Sequence, residues 1–272
     1  MSIEKFIPKL WASAMLTDFR NQAVWAGLTN REYDREFTSG DQITINTPVP
    51  IAIKDYKANS RTTEPDAIST TAIELVIDQE KNFDFYVDDI DRAQAAGDLN
   101  VFSQSAAEGL VEDADKHLAT MAATNATPVT PGAPATDAKS AWNVIRDLRK
   151  ALDKAAVPKQ GRVFVANAEF SSLFFEHDSK ITNADQLGDT QGLREASMGR
   201  ILGFDGYESE NGPTVDKPQV IAFHRSALAF VSQIQKTEAM RAEKKFADRL
   251  RGLHVYGSKV VRPKAIVSYT AE

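Results

Sequence analysis

The chain has 272 residues, enough for one large domain or two smaller ones with a real core. Its net charge of −6 argues against a nucleic-acid-binding protein that relies on a generally basic surface. The sequence contains no cysteine, which excludes disulfides, thiol nucleophiles and cysteine-ligated zinc. With no signal peptide and no apolar run of membrane-spanning length, we expect a soluble protein made in a reducing cytoplasm.

The first predicted element is an amphipathic helix over residues 7–26. Pro8 suits the first turn of this helix, and Gly27 suits the position just past its end. A polar connector follows and leads into a region of a different pattern.

Between Gly40 and Val87, two runs of alternating apolar residues flank a polar bend at residues 54–71. Alternation with a period of two predicts strands with one buried face. The apolar positions are Ile43, Ile45, Val49, Ile51 and Ile53 on the first arm, and Ile73, Leu75, Ile77, Phe83, Phe85 and Val87 on the second. We predict a long protruding hairpin. A two-stranded ribbon is barely stable alone, so the rest of the chain or another copy must cover its apolar face.

A long helix is predicted from Asn100 to about Ala123, where apolar residues at helical spacing indicate core packing. Asp91 and Gln94 have the spacing of a capping box before it. Residues 124–137 contain three prolines and form the clearest linker, which we expect to divide two regions.

The second region has α/β character. We predict an amphipathic helix that stops before Pro158, and then short strands and helices in alternation. The predicted elements are strands at 162–166 and 219–223, helices at 170–175 and 226–231, and returning strands within 253–269.

Charge is unevenly distributed along the chain. Residues 62–100 carry 10 acidic and 2 basic side chains, whereas residues 236–264 carry 9 basic and 3 acidic ones. Segments of opposite sign can pair within one chain or between copies, and so fix register and partner choice. The alternative is two solvated faces of little energetic consequence.

No group of residues predicts catalysis. The four histidines are scattered without metal-ligand spacing, and Gly199, Gly203 and Gly206 lack the pattern of a phosphate-binding loop. We therefore expect no enzyme activity, no cofactor and no metal site.

Three segments, in this order, resemble a known family. The first is Gly40–Ile45, which leads through Ile53–Tyr56 into the hairpin, the second is Phe83–Gln94, and the third is Gly199–Ser209, followed by Ala222–Ala229. Together they are similar to the major capsid proteins of tailed bacteriophages, which share the Hong Kong 97 coat fold. The resemblance covers nearly the whole chain.

The resemblance implies an α+β fold with five parts. Residues 1–38 would form the N-terminal arm and 39–87 the extended hairpin loop. Residues 88–125 would hold the spine helix of the peripheral domain, and 126–235 the linker and the axial domain. Residues 236–272 would return as strands to the peripheral domain.

The implied function is self-assembly, through pentamers and hexamers, into an icosahedral shell that encloses viral double-stranded DNA with weak nonspecific contact. Because the arm begins almost at Met1, we expect a separate scaffolding protein, together with a portal and decoration proteins, in the cytoplasm of a bacterial host. An encapsulin-type nanocompartment is the alternative, and a soluble α/β ligand-binding protein or enzyme is a second.

The candidate interface residues lie in the hairpin bend, at the start of the spine and in the basic returning strands. Arg249 and Arg251 are the strongest, because guanidinium–carboxylate pairs with acids of another copy would give register as well as attraction. No motif predicts a covalent crosslink at the hairpin lysines. The full set is Lys54, Tyr56, Lys57, Arg61, Glu64, Asp88, Asp89, Arg249 and Arg251.

Overall fold

The structure is a computed structural model. It describes residues 21–35, 42–49, 51–55, 57–58, 61–63, 65, 67–68, 70–88, 100–175, 198–214, 216–242 and 245–271. In these ranges the chain forms a two-stranded, a three-stranded and a six-stranded sheet together with helices, so the predicted mixed α+β content is confirmed.

The base of the predicted hairpin is present. Strands β1 (Gln42–Pro48) and β2 (Thr70–Val76) are antiparallel, with Ile45 opposite Ile73. On the inner face Ile45 and Leu75 are buried in a small core with Ala229, Val231 and Val261. The chain itself therefore covers the apolar face at the hairpin base.

The second arm is not one continuous strand, and here the prediction of a single hairpin up to Val87 is wrong. Strand β3 (Gln79–Asp88) leaves the hairpin and pairs with β10 (Ala247–Val260), whose other neighbour is β9 (Leu228–Arg241). The chain crosses β10 at Gly257, where an added Cβ would lie 2.4 Å from the carbonyl oxygen of Val76. Strands β2 and β3 each have one partly buried face. The alternation of apolar and polar residues therefore continues although β2 pairs with β1 and β3 with β10.

The predicted helix at 226–231 is wrong. A 3-10 turn at Arg225–Ala227 leads directly into β9, and the segment from Ala227 to Val231 is buried throughout. A short run of buried apolar residues has no alternation, so periodicity cannot distinguish a strand from a helix there.

The six-stranded sheet has the order β4-β11-β8-β5-β7-β6. Its strands are β4 (Thr127–Pro128), β5 (Arg162–Ala166), β6 (Arg200–Ile201), β7 (Phe204–Glu208), β8 (Gln219–His224) and β11 (Ile266–Thr270). The strands predicted at 162–166 and 219–223 are thus confirmed. The returning strands are confirmed as β10 and β11, and β11 lies in this sheet between β4 and β8.

Helices cover both faces of this sheet. Helix α3 (Ala138–Lys154) and helix α4 (Ala168–Phe174) pack on the face that carries Phe164 and Ala166. Helix α1 (Trp25–Leu28) and helix α2 (Asn100–Asn125) pack on the face that carries Val163.

Helix α2 confirms the long helix predicted at 100–123. At 1.5 Å per residue its 26 residues span about 39 Å. Only its second half is a core element: Ala114 and Leu118 are buried, whereas Phe102 is 50% exposed. None of the described helices is both long and apolar enough to cross a membrane.

The N-terminal prediction fails in the part that can be compared. Residues 7–20 and the capping pair Asp91–Gln94 lie outside the described residues; residues 21–24 are not helical, and Gly27 lies inside α1. Trp25 stacks on Phe223 with ring centroids 5.6 Å apart. Docking on the sheet, rather than helical periodicity, determines this segment.

Candidate assembly surfaces

The bend of the hairpin exposes large apolar side chains. Beyond β1 and β2, Ile51 is 72%, Ile53 100% and Ile68 80% exposed. Lys54, Lys57 and Arg61 lie in the same bend. Clustered apolar side chains with a charged rim are typical of a protein-contact surface. The small core with Ala229, Val231 and Val261 packs only against the base of the hairpin. The exposed side chains of the bend are therefore available to another molecule.

Arg249 on β10 pairs with Asp84 on the neighbouring strand β3. Its Nε donates to the two carboxylate oxygens at 2.8 and 3.0 Å, and its Nη2 also donates to Oδ2. The hydrogen bond from Arg249 lowers the pKa of Asp84 below its usual range. The guanidinium carbon lies 5.7 Å from the ring centroid of Tyr86, within cation–π range.

A second ionic cluster links β10 to β9. Arg251 Nε donates to Glu238 Oε2 at 3.0 Å, and Lys236 Nζ lies 2.5 Å from Glu238 Oε1. Hydrogen bonds from Lys236 first and Arg251 second lower the pKa of Glu238 to about 2.

The acidic and basic segments therefore meet within one chain. We expected Arg249 and Arg251 to pair with carboxylates of another copy. They pair instead with Asp84 and Glu238 of their own chain, because β3, β10 and β9 are neighbours in one sheet. Asp88 lies half-buried at the end of β3. Tyr56, Glu64 and Asp89 lie outside the described residues.

The joint between α2 and the three-stranded sheet contains two histidines on either side of a tyrosine. Tyr256 OH donates to Asp113 Oδ2 at 2.9 Å, and the rings of His117 and His254 lie 5.6 and 4.9 Å from that of Tyr256. Each histidine Nε2 is 3.0 Å from a serine hydroxyl. Burial is the largest cause of the pKa shift in all three groups. It lowers the pKa of both histidines and raises the pKa of Tyr256.

A buried aspartate on α2 holds the N-terminal segment. Asp115 is fully buried and accepts hydrogen bonds from the backbone N–H of Val24 and Ala26, both at 3.1 Å, and from Asn211 Nδ2 at 2.8 Å. Asp115 is not among the candidate residues predicted from the sequence. The available signal was its spacing: it shares a helical face with Leu118 and Ala122, which are buried.

In the described ranges, no group of three or more His, Asp or Glu side chains could hold a metal ion. No protein-family model and no curated protein matches this chain.

Solved structures do match. A chain from Mycobacterium phage Che8 is 46% identical, with a TM-score of 0.91 and 98% of each chain covered. The capsid structure of cyanophage P-SCSP1u matches at 16% identity and a TM-score of 0.82, covering 100% of this chain and 95% of that one. The mature capsid of bacteriophage PhiM1 matches at 13% identity and a TM-score of 0.75, covering 97% and 92%.

Proposed function

Because this chain belongs to the major capsid proteins of tailed bacteriophages, we propose that the icosahedral shell built from its copies encloses double-stranded DNA. The protein is a structural component of the virion capsid, not an enzyme, and its copies associate with one another. The observation that carries this conclusion is 46% identity over 98% of both chains. The relatives named above come from phages, which favours a viral shell over an encapsulin.

In finer detail, we propose the Hong Kong 97 form of the coat fold with the division into five parts given above. The base of the hairpin loop is the β1–β2 pair, and helix α2 is the spine. The sheet flanked by α3 and α4 is the core of the axial domain. Three features change the boundaries: the hairpin loop ends before β3, which pairs with β10, β9 begins at Leu228, before residue 236, and β11 joins the axial sheet.

We propose that the hairpin bend lies on a neighbouring copy within pentamers and hexamers. The support is the exposure of Ile51, Ile53 and Ile68 on an element whose base is fixed by its own core. Burying such side chains contributes about 25 cal/mol per Å² of apolar surface. We propose that the candidate interface residues of the bend, of β3 and of β10 take part in the same contact between copies.

Further partners belong to the same proposal. A separate scaffolding protein, a portal and decoration proteins would act with the shell, and assembly would take place in the cytoplasm of the bacterial host. Contact with the DNA would be weak and independent of its sequence.

Electron cryomicroscopy of particles formed by the expressed chain tests the proposal, together with nuclease treatment of particles from infected cells. We expect closed icosahedral shells with pentamers and hexamers, and nuclease-resistant double-stranded DNA inside the particles from infected cells. Shells that contain cargo protein and no DNA would contradict the viral assignment.

A further inference from the structure

A groove rich in arginine lies where the six-stranded sheet meets the start of β9. It consists of two adjoining depressions, the larger of about 870 Å³, which share His224, Ser226 and Arg262. Among the described residues, the cationic side chains that line them are Arg31, Arg225, Arg262 and Lys264, and the carboxylate is that of Glu32. We call these four cations and their surroundings the arginine groove. In a chain of net charge −6, it is a local region of the opposite sign.

A chain of hydrogen bonds supports the arginine shared by both depressions. Arg262 Nη1 donates to Ser226 Oγ at 2.8 Å, and Ser226 Oγ lies 2.8 Å from His224 Nδ1. His224 Nε2 is 2.8 Å from the carbonyl oxygen of Gln160. Because a carbonyl only accepts, Nε2 carries the ring proton and Nδ1 accepts from Ser226. The hydroxyl is thus oriented with its lone pairs toward Arg262.

A second arginine of the groove, Arg225, is also held by a neutral group. Arg225 Nη2 donates to Tyr207 OH at 3.3 Å, and the guanidinium of Arg31 lies 5.6 Å from the ring centroid of Phe230. Arg225 and Arg262 form no ion pair with any residue of the described ranges. Neutral partners fix the position of a guanidinium without compensating its charge, so Arg225 and Arg262 are ready to receive an anion.

We propose that the arginine groove binds backbone phosphates of the enclosed DNA, an inference that rests on the proposed function. Guanidinium groups match phosphate oxygens with paired hydrogen bonds. Because the chain as a whole carries a net charge of −6, a groove lined by cations is favoured for contact with DNA phosphates.

A carboxylate segment of a second copy is the competing occupant. The sheet that carries the charged strands offers few carboxylates for that purpose, because Asp84, Glu238 and Asp248 already pair with arginines of their own chain. A polymer with one phosphate per nucleotide can instead meet several cations along the groove.

The test measures the affinity of the purified full chain for a fluorescent duplex of about 30 base pairs as a function of salt. Each phosphate contact contributes about −0.9 to the slope of log K against log salt concentration, so R225Q/R262Q should make the slope shallower by about two. K264Q, which changes one exposed side chain, should make it shallower by about one. The matched control is R146Q/R200Q, which removes two arginines that are 60% and 67% exposed elsewhere, and it should leave the slope unchanged.

An unchanged slope in both groove variants, with folding verified by circular dichroism, would overturn the proposal. So would loss of shells with DNA affinity retained, because that result assigns the groove to contact between copies. Enclosure of DNA is measured separately by nuclease protection in wild-type particles. Protected DNA with an unchanged slope refutes the groove alone, whereas a changed slope with no protected DNA refutes enclosure alone.

Discussion

At the scale of single residues, buried polar side chains set the position of whole segments. Asp115 is the clearest case, because its two oxygens receive three hydrogen bonds from parts of the chain about 90 residues away on either side. A buried carboxylate is stable only when such donors surround it. This side chain of α2 consequently holds the N-terminal segment together with the stacking of Trp25 on Phe223.

Asp115→Ala should destabilise the fold by roughly 2–4 kcal/mol, since it removes three hydrogen bonds and leaves their donors unsatisfied. Urea unfolding measures the loss, and amide hydrogen exchange should accelerate at Val24 and Ala26. Lys116→Ala, the adjacent side chain at 53% exposure, is the control and should change little. Equal effects of the two substitutions would contradict the anchoring role.

Arg249→Glu should impair shell formation, because it places a second carboxylate beside Asp84 at the junction of β3 and β10. The charge-swapped double variant D84R/R249E should recover assembly, since the pair lies within one chain. Electron microscopy of particles provides the readout. If the double variant assembles no better than Arg249→Glu, the partner of Arg249 that matters for assembly lies on another copy.

At the scale of elements, two contacts fix the three-stranded sheet in place. One is the crossing of the β2–β3 connection over β10 at Gly257, and the other is the histidine–tyrosine joint with α2. Both involve segments far apart in the sequence.

Gly257→Val should displace the hairpin, because its Cβ would lie 2.4 Å from a backbone oxygen and 2.9 Å from Ile77 Cα, and backbone cannot move aside as a side chain can. We expect folded subunits with few or no closed shells, measured by circular dichroism and electron microscopy. Gly132→Val is the control, since no atom lies within 4 Å of its added Cβ. Normal shells from Gly257→Val would show that the crossing tolerates displacement.

Acid should weaken the joint between α2 and the sheet. Burial lowers the pKa of both histidines in the folded chain. For His117 the carboxylates of Asp78 and Asp113 oppose this shift and Lys81 adds to it. For His254 a hydrogen bond with the backbone of Leu110 and the carboxylate of Asp113 oppose it. The unfolded chain therefore binds protons first: stability is full above the unfolded pKa of about 6.5 and is lost as the pH falls toward the folded values.

Urea unfolding at pH 7.0 and 5.5 checks this expectation. The wild-type midpoint should fall between the two pH values, and the fall should be smaller in H117N/H254N. The carboxylates of Asp84 and Glu238 serve as an internal control, because their pKa values are lowered and they do not titrate in this range. An equal fall in the double variant would place the titrating groups elsewhere.

Much of the architecture was predictable because it depends on local periodicity. The hairpin base, the 26-residue helix, the amphipathic α3 and the buried strands β5 and β8 follow from spacing alone. The partner of β3, the strand at Leu228 and the short α1 did not, because each depends on contacts with distant residues. The charge segments were visible in the sequence, but their meeting within one chain required the pairing of β3 with β10. The hydrogen-bond support of the arginine groove has no sequence pattern.

At the scale of the whole molecule, the base of the hairpin is buried in the subunit and its bend is exposed to solvent. Ile51→Ser with Ile53→Ser should leave subunit stability within about 0.5 kcal/mol, because both side chains are already in water. It should reduce or abolish shell formation, measured by sedimentation. Ile45→Ser, at 8% exposure, is the contrasting variant and should lower subunit stability itself. Normal assembly by the first variant would remove the bend from the contact between copies.

The packing of the hairpin base also sets an order of events during biogenesis. Ile45 and Leu75 have no core until residues 229–261 fold against them, and β3 has no partner until β10 is in place. Pairings between such distant segments form slowly, because the intervening loop must first close. A half-synthesised subunit therefore cannot present an ordered hairpin to its neighbours. We expect subunits to become competent to join a growing shell only after residues 229–261 have folded against the base of the hairpin.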